Sequence, residues 1–224
     1  MPLLEVRNLS MHYTTLRGIV RALEDVSFSV NESETLAVVG ETGSGKSTLA
    51  KAIVRVLEEN ARIVNGEIIF EGVNILKLSE EEFRRNYRWV KIAMVPQGSM
   101  NSLNPVLKIM DQMIEPLILR GIPRLDAIKI AGDALESVGL SRDVLTKYPH
   151  QLSGGMKQRV IIAMAIQAKP KLIILDEPTS ALDVMTQANI MNLLKKLRRE
   201  FKLSYICITH DLALASELAD KVLV

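Results

Sequence analysis

A glycine-rich segment, Gly40–Ser47, follows the apolar run Thr35–Val39 and leads into Lys46–Leu57, which is predicted to form a helix. Its sequence, GETGSGKS, fits the pattern G-x-x-x-x-G-K-[ST]. Glycines let the backbone curl so that successive N–H groups point at one phosphate, and the start of a helix adds partial positive charge. Lys46 supplies a full charge and the Ser47 hydroxyl can ligate Mg²⁺. The segment predicts a phosphate-binding loop for a nucleotide, with a simple glycine turn as the alternative.

Two consecutive carboxylates, Asp176 and Glu177, follow a second apolar run, Leu172–Leu175. Parallel α/β sheets bind ligands at the carboxyl ends of their strands, so both side chains are expected near the phosphate-binding loop. We predict that Asp176 holds the magnesium ion and that Glu177 acts as a general base on an attacking water. An acidic strand end that caps the next turn is the alternative.

The pattern of apolar residues changes three times along the chain. Short alternating runs within residues 3–9 and 20–30 indicate antiparallel strands. Continuous apolar runs at 35–39, 172–175 and 204–209 are typical of central parallel strands covered by helices on both faces. Between about residues 96 and 169, apolar residues recur every three or four positions, which predicts an inserted helical block. We therefore predict an α/β fold with a parallel sheet at its core.

Composition excludes several classes of protein. Lys and Arg total 28 and Asp and Glu total 26, which leaves a net charge of +2 and no broad basic face for nucleic acid. The local basic cluster at 195–199 is interpreted as a solvated helix face. The single cysteine, Cys207, predicts a reducing compartment, and Glu5 and Arg7 interrupt any secretory signal. Because no apolar run approaches 18 residues, a membrane role would require docking onto a spanning partner.

A third segment, Leu152–Arg159, reads LSGGMKQR and opens a predicted helix with Ser153 as its N-cap. The phosphate-binding loop, this LSGG segment, the sequence LIILDE and His210 follow one another in an order and spacing that resemble the ATP-binding cassette ATPases. The resemblance covers nearly the whole chain. It implies a P-loop NTPase fold: a RecA-like parallel core, an N-terminal antiparallel β subdomain and an inserted helical subdomain. It also implies one ATP-binding domain over 1–224, with 1–97 and 170–224 forming the β subdomain and core, and 98–169 the helical subdomain.

In that family two cassettes face head to tail, and each ATP is clamped between the phosphate-binding loop of one and the LSGGQ segment of the other. The resemblance thus implies that Ser153, Gly154 and Gly155 bind a γ-phosphate held by Lys46 of the second copy. Asp183 falls in the loop that crosses the dimer interface in the family. The other predicted nucleotide contacts lie in the phosphate-binding loop and the start of its helix: Gly40, Glu41, Thr42, Gly43, Ser44, Gly45, Lys46, Ser47 and Thr48.

Three more positions match residues with roles in the family. Tyr13 falls where the family stacks an aromatic ring on adenine; the alternative is a core tyrosine near a strand end. Gln97 matches a glutamine that senses Mg²⁺ and links to the transmembrane partner, or else it is an ordinary polar loop residue. His210 matches the switch histidine at the γ-phosphate, which would orient the attacking water with Glu177. The metal set implied is Ser47, Gln97 and Asp176.

Finer features resemble the dipeptide and oligopeptide importer branch, in segments 96–105, 148–159 and 181–188. This implies a Mg²⁺-dependent ATPase subunit that powers peptide import, located peripherally at the cytoplasmic face of the membrane. The implied partners are permease subunits, a second cassette that is identical or merely similar, and indirectly an extracytoplasmic solute-binding protein. No nucleic acid is expected.

The sequence also departs from the family pattern. Met156 replaces the usual glutamine of LSGGQ, and Gly98 and Ser99 stand where many members have an acidic residue and proline. The chain stops at Val224, whereas members of the branch continue with a tail that completes the sheet, so we expect a truncated chain.

Two other functions stay open from the sequence. One is a cassette ATPase acting on nucleic acid or translation, which would usually bring long coiled coils or two cassettes in one chain. The other is a nucleotide-binding module without turnover, against which Lys46, Asp176, Glu177 and His210 all argue.

Overall fold

The computed structural model describes residues 1–224 apart from the side chain of residue 214. An antiparallel sheet near the N-terminus has the strand order β2-β1-β4-β5. Its strands are β1 (Leu4–Thr15), β2 (Gly18–Val30), β4 (Ala61–Phe70) and β5 (Val73–Asn74). Strand β1 runs further than the predicted 3–9, because shifts of register between Val6 and His12 let the pairing with β2 continue past the polar residues there.

A second sheet is entirely parallel, with the order β6-β7-β8-β3-β9. Its strands are β6 (Ile92–Val95), β7 (Leu172–Asp176), β8 (Ser204–Ile208), β3 (Thr35–Val38) and β9 (Lys221–Leu223). Every residue of β3, β7 and β8 is buried, as expected for strands covered on both faces. The parallel core and the N-terminal antiparallel sheet that the sequence predicts are both present.

Seven α-helices are assigned in the described chain. They are α1 (Lys46–Val54), α2 (Glu80–Asn86), α3 (Ile109–Ile118), α4 (Arg124–Ser137), α5 (Gly154–Ile166), α6 (Val184–Phe201) and α7 (Leu212–Leu218). None of the described helices combines the length and the apolar character needed to cross a membrane. The helices α3, α4 and α5 fall within the predicted helical segment; the division of the chain at 98 and 169 stays a prediction.

Helix α1 ends three residues earlier than the sequence predicts. Its C-cap, Arg55, has a left-handed backbone (φ 54°), which a helix cannot continue through. The guanidinium of Arg55 donates to the carbonyl oxygens of Ile75 and Leu78, at 2.9 Å each. Arg88 donates to the carbonyl oxygen of Val54, also at 2.9 Å, and so places a cation at the negative end of the helix. These long-range contacts fix the helix end and have no local sequence signal.

The parallel sheet separates two hydrophobic cores. In β7, Ile173 and Leu175 pack into a core shared with helices α3 to α6. The alternate residues Leu172 and Ile174 pack into a core shared with the antiparallel sheet and α1. This alternation follows from the two-residue period of a strand. Because these strands pair in parallel, the carboxyl ends of β6, β7, β8 and β3 lie at one edge of the sheet, between the two cores.

The basic cluster at 195–199 lies on α6 and is largely engaged in ion pairs. Lys195 pairs with Glu217 at 2.8 Å, and Arg198 pairs with Asp220 and donates to the carbonyl oxygen of Ser33. These contacts lie near the C-terminal end of α6, where cations oppose the partial negative charge of the helix. Lys195 and Arg198 therefore join α6 to its neighbours, which differs from the predicted solvated face, whereas Lys196 and Arg199 are exposed.

Candidate nucleotide-binding and hydrolysis site

The phosphate-binding loop connects the end of β3 to the start of α1. Gly45 precedes the helix with φ 96°, and a Cβ atom there would lie 2.4 Å from the carbonyl oxygen of Ala22 on β2. Only glycine tolerates both this conformation and this approach. Residues 41–44 are exposed, so the loop presents its backbone to solvent at the edge of the sheet. The curled glycine loop predicted from the sequence is present.

Lys46 lies over this loop. Its ammonium donates to the carbonyl oxygens of Gly40 at 2.8 Å and Glu41 at 2.6 Å. The charge is therefore held within the curve of the backbone, where the N–H groups of a phosphate-binding loop converge. Ser47 and Thr48, next along α1, are half-buried.

Tyr13 reaches the same region from β1. Its hydroxyl lies 3.4 Å from the Thr48 hydroxyl oxygen and donates to Glu58 Oε2 at 3.3 Å. Lys51 of α1 pairs with the other oxygen of Glu58. The ring is half-buried and packs against the core beneath the antiparallel sheet. Tyr13 thus lies beside the first turn of α1, and its contact with Glu58, 45 residues away, has no local sequence signal.

Asp176 ends β7 and is 3% exposed. Its Oδ1 atom accepts no hydrogen bond within the described part of the chain. Burial raises the pKa of Asp176, and the Ser47 hydroxyl beside it acts in the opposite direction. Because buried carboxylate oxygens are normally paired, an unpaired one at the edge of the sheet fits a cation ligand.

We expect Asp176→Asn to raise the free energy of unfolding by about 0.5–2 kcal/mol at pH 7, because it removes a buried charge. Since folding raises the pKa of Asp176, its ionised form destabilises the folded state above that pKa. The gain should therefore shrink as the pH falls and vanish below about pH 3, where the carboxyl is largely protonated in both states. Urea unfolding of both proteins across this pH range measures the effect. Equal stability at pH 7 would show that the charge costs nothing where it lies.

Glu177 follows Asp176 with a left-handed backbone, φ 50°. This conformation turns its side chain away from the direction that a continued strand would give it. Its Oε2 accepts from Gln97 Nε2 at 2.9 Å, and its Oε1 lies 3.0 Å from His210 Nδ1. The Ser180 hydroxyl donates to the Glu177 carbonyl oxygen at 3.0 Å, a contact that the sequence did not predict. The carboxylate is thus held between an amide and an imidazole.

Gln97 and His210 reach Glu177 from strands on either side of β7. Gln97 follows β6, and His210 follows β8. Both neighbours pair with β7 in parallel register, so their carboxyl ends come out at the same edge of the sheet. The side chain of His210 is 66% exposed whereas that of Glu177 is 17% exposed, so the imidazole covers the carboxylate from the solvent side.

The LSGG segment forms the start of α5. Ser153 is the N-cap, and its hydroxyl oxygen accepts from the backbone N–H of Met156 at 3.3 Å. Ser153 and Gly154 are exposed. A Cβ atom on Gly155 would lie 2.8 Å from Thr186 Cγ2, so α5 approaches the first turn of α6 closely there. An exposed helix start rich in glycine suits an anion.

Asp183 lies nearby as the N-cap of α6. Its carboxylate accepts from the backbone N–H of Thr186 at 3.0 Å and from the Thr186 hydroxyl at 2.7 Å. These hydrogen bonds lower the pKa of Asp183. Within one chain Asp183 therefore has a structural role as a helix cap.

The predicted residues thus form two groups. One group surrounds the sheet edge and the start of α1: Tyr13, the loop Gly40–Thr48, Gln97, Asp176, Glu177 and His210. The other surrounds the starts of α5 and α6: Ser153, Gly154, Gly155 and Asp183.

The predicted metal set offers a hydroxyl, an amide and one carboxylate, from Ser47, Gln97 and Asp176. No cluster of three or more His, Cys, Asp or Glu residues that could hold a metal occurs among the described residues. Mg²⁺ commonly takes one or two carboxylates and completes its shell with water and phosphate oxygens. The unpaired Oδ1 atom of Asp176 and the neighbouring hydroxyl fit this kind of ion.

Comparison with known proteins identifies close relatives. A family model described as ABC transporter matches residues 23–180. The chain is 43% identical to the dipeptide transport ATP-binding protein DppD of Caldanaerobacter subterraneus, over 99% of this chain and 69% of that protein. It is 45% identical to the oligopeptide transport ATP-binding protein OppD of Salmonella typhimurium, over 99% of this chain and 67% of that protein. The chain thus spans about two thirds of the length of these relatives.

Solved structures of ABC transporter cassettes have the same fold as this chain. The ATP-binding cassette MJ0796, in a dimeric post-hydrolysis state bound to ADP and Pi, superposes with a TM-score of 0.82 at 30% identity. The match covers 98% of this chain and 96% of that one. Part of the cbiONQ ABC transporter complex, cbiO1 from Clostridium perfringens, also gives 0.82, at 29% identity over 99% of this chain and 83% of that one.

These matches confirm the predicted family, the predicted fold and the predicted class of transport ATPase. The nucleic-acid alternative receives no support from them, since the relatives above are named for peptide transport. The family model covers more than half of the chain, and relatives above 40% identity cover nearly all of it. The chain therefore belongs to the ABC transporter family, as an ATP-binding cassette.

Proposed function

We propose that this chain is the ATP-hydrolysing subunit of a peptide importer, with Glu177 as the general base. The observation that carries the proposal is the placement of the Glu177 carboxylate. It lies between Gln97 at 2.9 Å and His210 at 3.0 Å, one residue after the buried Asp176. A carboxylate held in this way at the edge of a nucleotide-binding sheet can accept a proton from a water molecule.

The other residues of the sheet edge would bind and orient the nucleotide. Backbone N–H groups of residues 40–48 and the Lys46 ammonium would hold the phosphate oxygens. Tyr13 would stack on the base, and Ser47, Gln97 and Asp176 would hold Mg²⁺. The ion, when bound, offsets the negative charge that develops on the phosphates.

Glu177 and His210 would carry out the proton transfer. Each Glu177 oxygen accepts one hydrogen bond and keeps a lone pair for the attacking water. The two hydrogen bonds fix the rotation of the carboxyl group, so that the water is oriented before reaction. His210 would also donate to the γ-phosphate, stabilising charge in the transition state.

A second cassette would complete the site. Ser153, Gly154 and Gly155 lie at an exposed helix start that can bind an anion, and Asp183 lies beside them. We infer that they serve the ATP held by the second copy, as in the head-to-tail dimers of the family. The dimer would dock peripherally on permease subunits at the cytoplasmic face of the membrane, and a solute-binding protein would act indirectly.

Turnover against protein concentration tests the composite site. Initial rates of Mg²⁺-ATP hydrolysis are measured over a hundredfold range of chain concentration, with oligomeric state recorded in parallel. Because two copies are needed for each site, we expect rates to rise faster than linearly until the dimer saturates. A strictly proportional rate from a monomer would show that one chain suffices, and would overturn the shared site.

Peptide uptake tests the transport assignment, which rests on the relatives named for dipeptide and oligopeptide transport. The gene is deleted in its host, and uptake of labelled dipeptides and oligopeptides is compared with that of a labelled sugar. We expect peptide uptake alone to fall, with restoration by the wild-type gene and none by a Glu177→Gln gene. Unchanged peptide uptake in the deletion strain would overturn the peptide assignment while leaving ATP hydrolysis intact.

A further inference from the structure

The short 3₁₀ turn Ser99–Asn101 lies directly after Gln97, the residue that donates to Glu177. Ser99 is 4% exposed, and its hydroxyl donates to Oε1 of Gln158 at 3.3 Å. Gln158, on α5, is 3% exposed. This hydrogen bond is therefore fully buried and joins the end of β6 to the helix that begins with the LSGG segment.

A second contact links the same two elements. A Cβ atom on Gly154 would lie 3.7 Å from Met100 Sδ, so the turn also packs against the first residue of α5. Gly154 and Gln158 are four residues apart and so share one face of the helix. The turn therefore packs against the first two turns of α5, through the polar contact of Ser99 with Gln158 and the apolar contact of Met100 with Gly154.

The amide of Gln158 is unusual because it is buried and only partly hydrogen-bonded. Its Nε2 atom is buried and has no hydrogen-bond partner in the described part of the chain. Buried donors without partners are rare in folded proteins, and each calls for a specific explanation. A methionine of similar volume would fill the space with no unpaired donor. Packing alone does not account for the amide; its Oε1 atom accepts the bond from Ser99, which a methionine could not do.

The side chain at position 99 decides whether this hydrogen bond can form, because the donor is the Ser99 hydroxyl. A residue without a side-chain donor at this position could not make the bond to Gln158 Oε1. In this chain Gly98, in the left-handed conformation (φ 64°), leaves the backbone free to turn just before Ser99. The Ser99 bond therefore anchors a turn whose backbone is otherwise free to rotate at Gly98.

We propose that Ser99 and Gln158 are positioning residues for ATP hydrolysis. Their hydrogen bond fixes the turn after Gln97 onto α5, and thereby holds the Gln97 amide against Oε2 of Glu177. The inference rests on the proposed role of Glu177 as general base. It also ties the geometry of the base to the helix whose exposed start would contact the second ATP.

The test compares steady-state hydrolysis by Ser99→Ala, Gln158→Met and the double variant. Loss of the anchor should lower kcat about tenfold in each single variant, with KM for ATP changed less than twofold, since a small displacement of a catalytic group affects the chemical step. The double variant should be no slower than the slower single variant, because both changes remove one interaction.

Gln167→Met is the matched control. Gln167 is the C-cap of the same helix and is also buried; its Nε2 donates to the Met113 carbonyl oxygen at 3.0 Å and its Oε1 is unpaired in the described structure. Urea unfolding should show similar stability losses for Gln158→Met and Gln167→Met, while kcat stays within twofold of wild type for Gln167→Met. An equal loss of kcat in Gln167→Met would show that any disturbance of packing around α5 slows hydrolysis. It would overturn a specific role for the Ser99–Gln158 bond.

Glu177→Gln, measured alongside, distinguishes a failure of the positioning proposal from a failure of the proposed general base. If it loses turnover while Ser99→Ala and Gln158→Met retain wild-type kcat, the positioning proposal fails and the general base stands. If Glu177→Gln retains turnover, the proposed base itself fails, and the positioning proposal falls with it.

Discussion

Replacing Glu177 with glutamine should lower ATP turnover a hundredfold or more while leaving ATP binding intact. The amide keeps the size of the carboxyl group and can still contact Gln97 and His210, but it cannot accept a proton from water. A general base of this kind contributes about 10²–10⁴-fold to a rate. Steady-state phosphate release and equilibrium binding of a fluorescent ATP analogue measure the two effects separately.

A matched control is Glu81→Gln, at an exposed glutamate in the first turn of α2. It removes the same charge from the surface and should leave turnover within twofold of wild type. We also expect the Glu177 variant to accumulate as an ATP-bound dimer, because closure no longer ends in hydrolysis. Wild-type turnover in the Glu177 variant would remove this residue from the mechanism.

Replacing Lys46 with alanine should weaken ATP binding by about 10–100-fold. The ammonium is held over the loop by the carbonyl oxygens of Gly40 and Glu41, and hydrogen bonds from a charged donor contribute about 1.5–3 kcal/mol. The loss should be smaller for AMP than for ATP, since the positive charge is directed at the terminal phosphates. Isothermal titration with ATP, ADP and AMP gives the comparison.

Lys108→Ala, at an exposed N-cap lysine of α3, serves as the control for a lost positive charge. Its ATP affinity should match that of the wild-type chain. Circular dichroism and urea unfolding of both variants establish that the phosphate-binding loop change leaves the fold in place. Undiminished ATP affinity in a folded Lys46→Ala variant would show that the segment 40–47 is not the phosphate site.

Local pattern was sufficient for the phosphate-binding loop and the parallel core. The sequence GETGSGKS places glycines where the backbone must curl, and the structure has Gly45 at φ 96° against Ala22. The runs that form β3, β7 and β8 are mainly apolar, as is typical of strands covered on both faces. The glycine spacing and the apolar runs are local patterns, so the sequence predicts them directly, whereas the close approach of Gly45 to Ala22 depends on the tertiary structure.

The pairing of catalytic groups could be anticipated only in outline. Because parallel strands end at a common edge, Asp176 and Glu177 were expected near the phosphate-binding loop, and the family resemblance assigned Gln97 and His210 to the same site. Glu177 contacts both Gln97 and His210 because its own backbone is left-handed and because the strand order is β6-β7-β8. Gln97 and Glu177 are 80 residues apart in the sequence, and Glu177 and His210 are 33 apart. These separations contain no information on the order of the strands.

Other contacts were decided by tertiary packing alone. The bond between Ser99 and Gln158 spans 59 residues, and the contact of Tyr13 with Glu58 spans 45. Neither pair has a local signature, since each exists only because two separate elements pack together. The sequence by itself therefore determined which chemical groups this cassette has and at which strand and helix ends they lie. Tertiary structure decided which of those groups touch, because hydrogen bonds act over about 3 Å and chain order sets no such distance between remote residues.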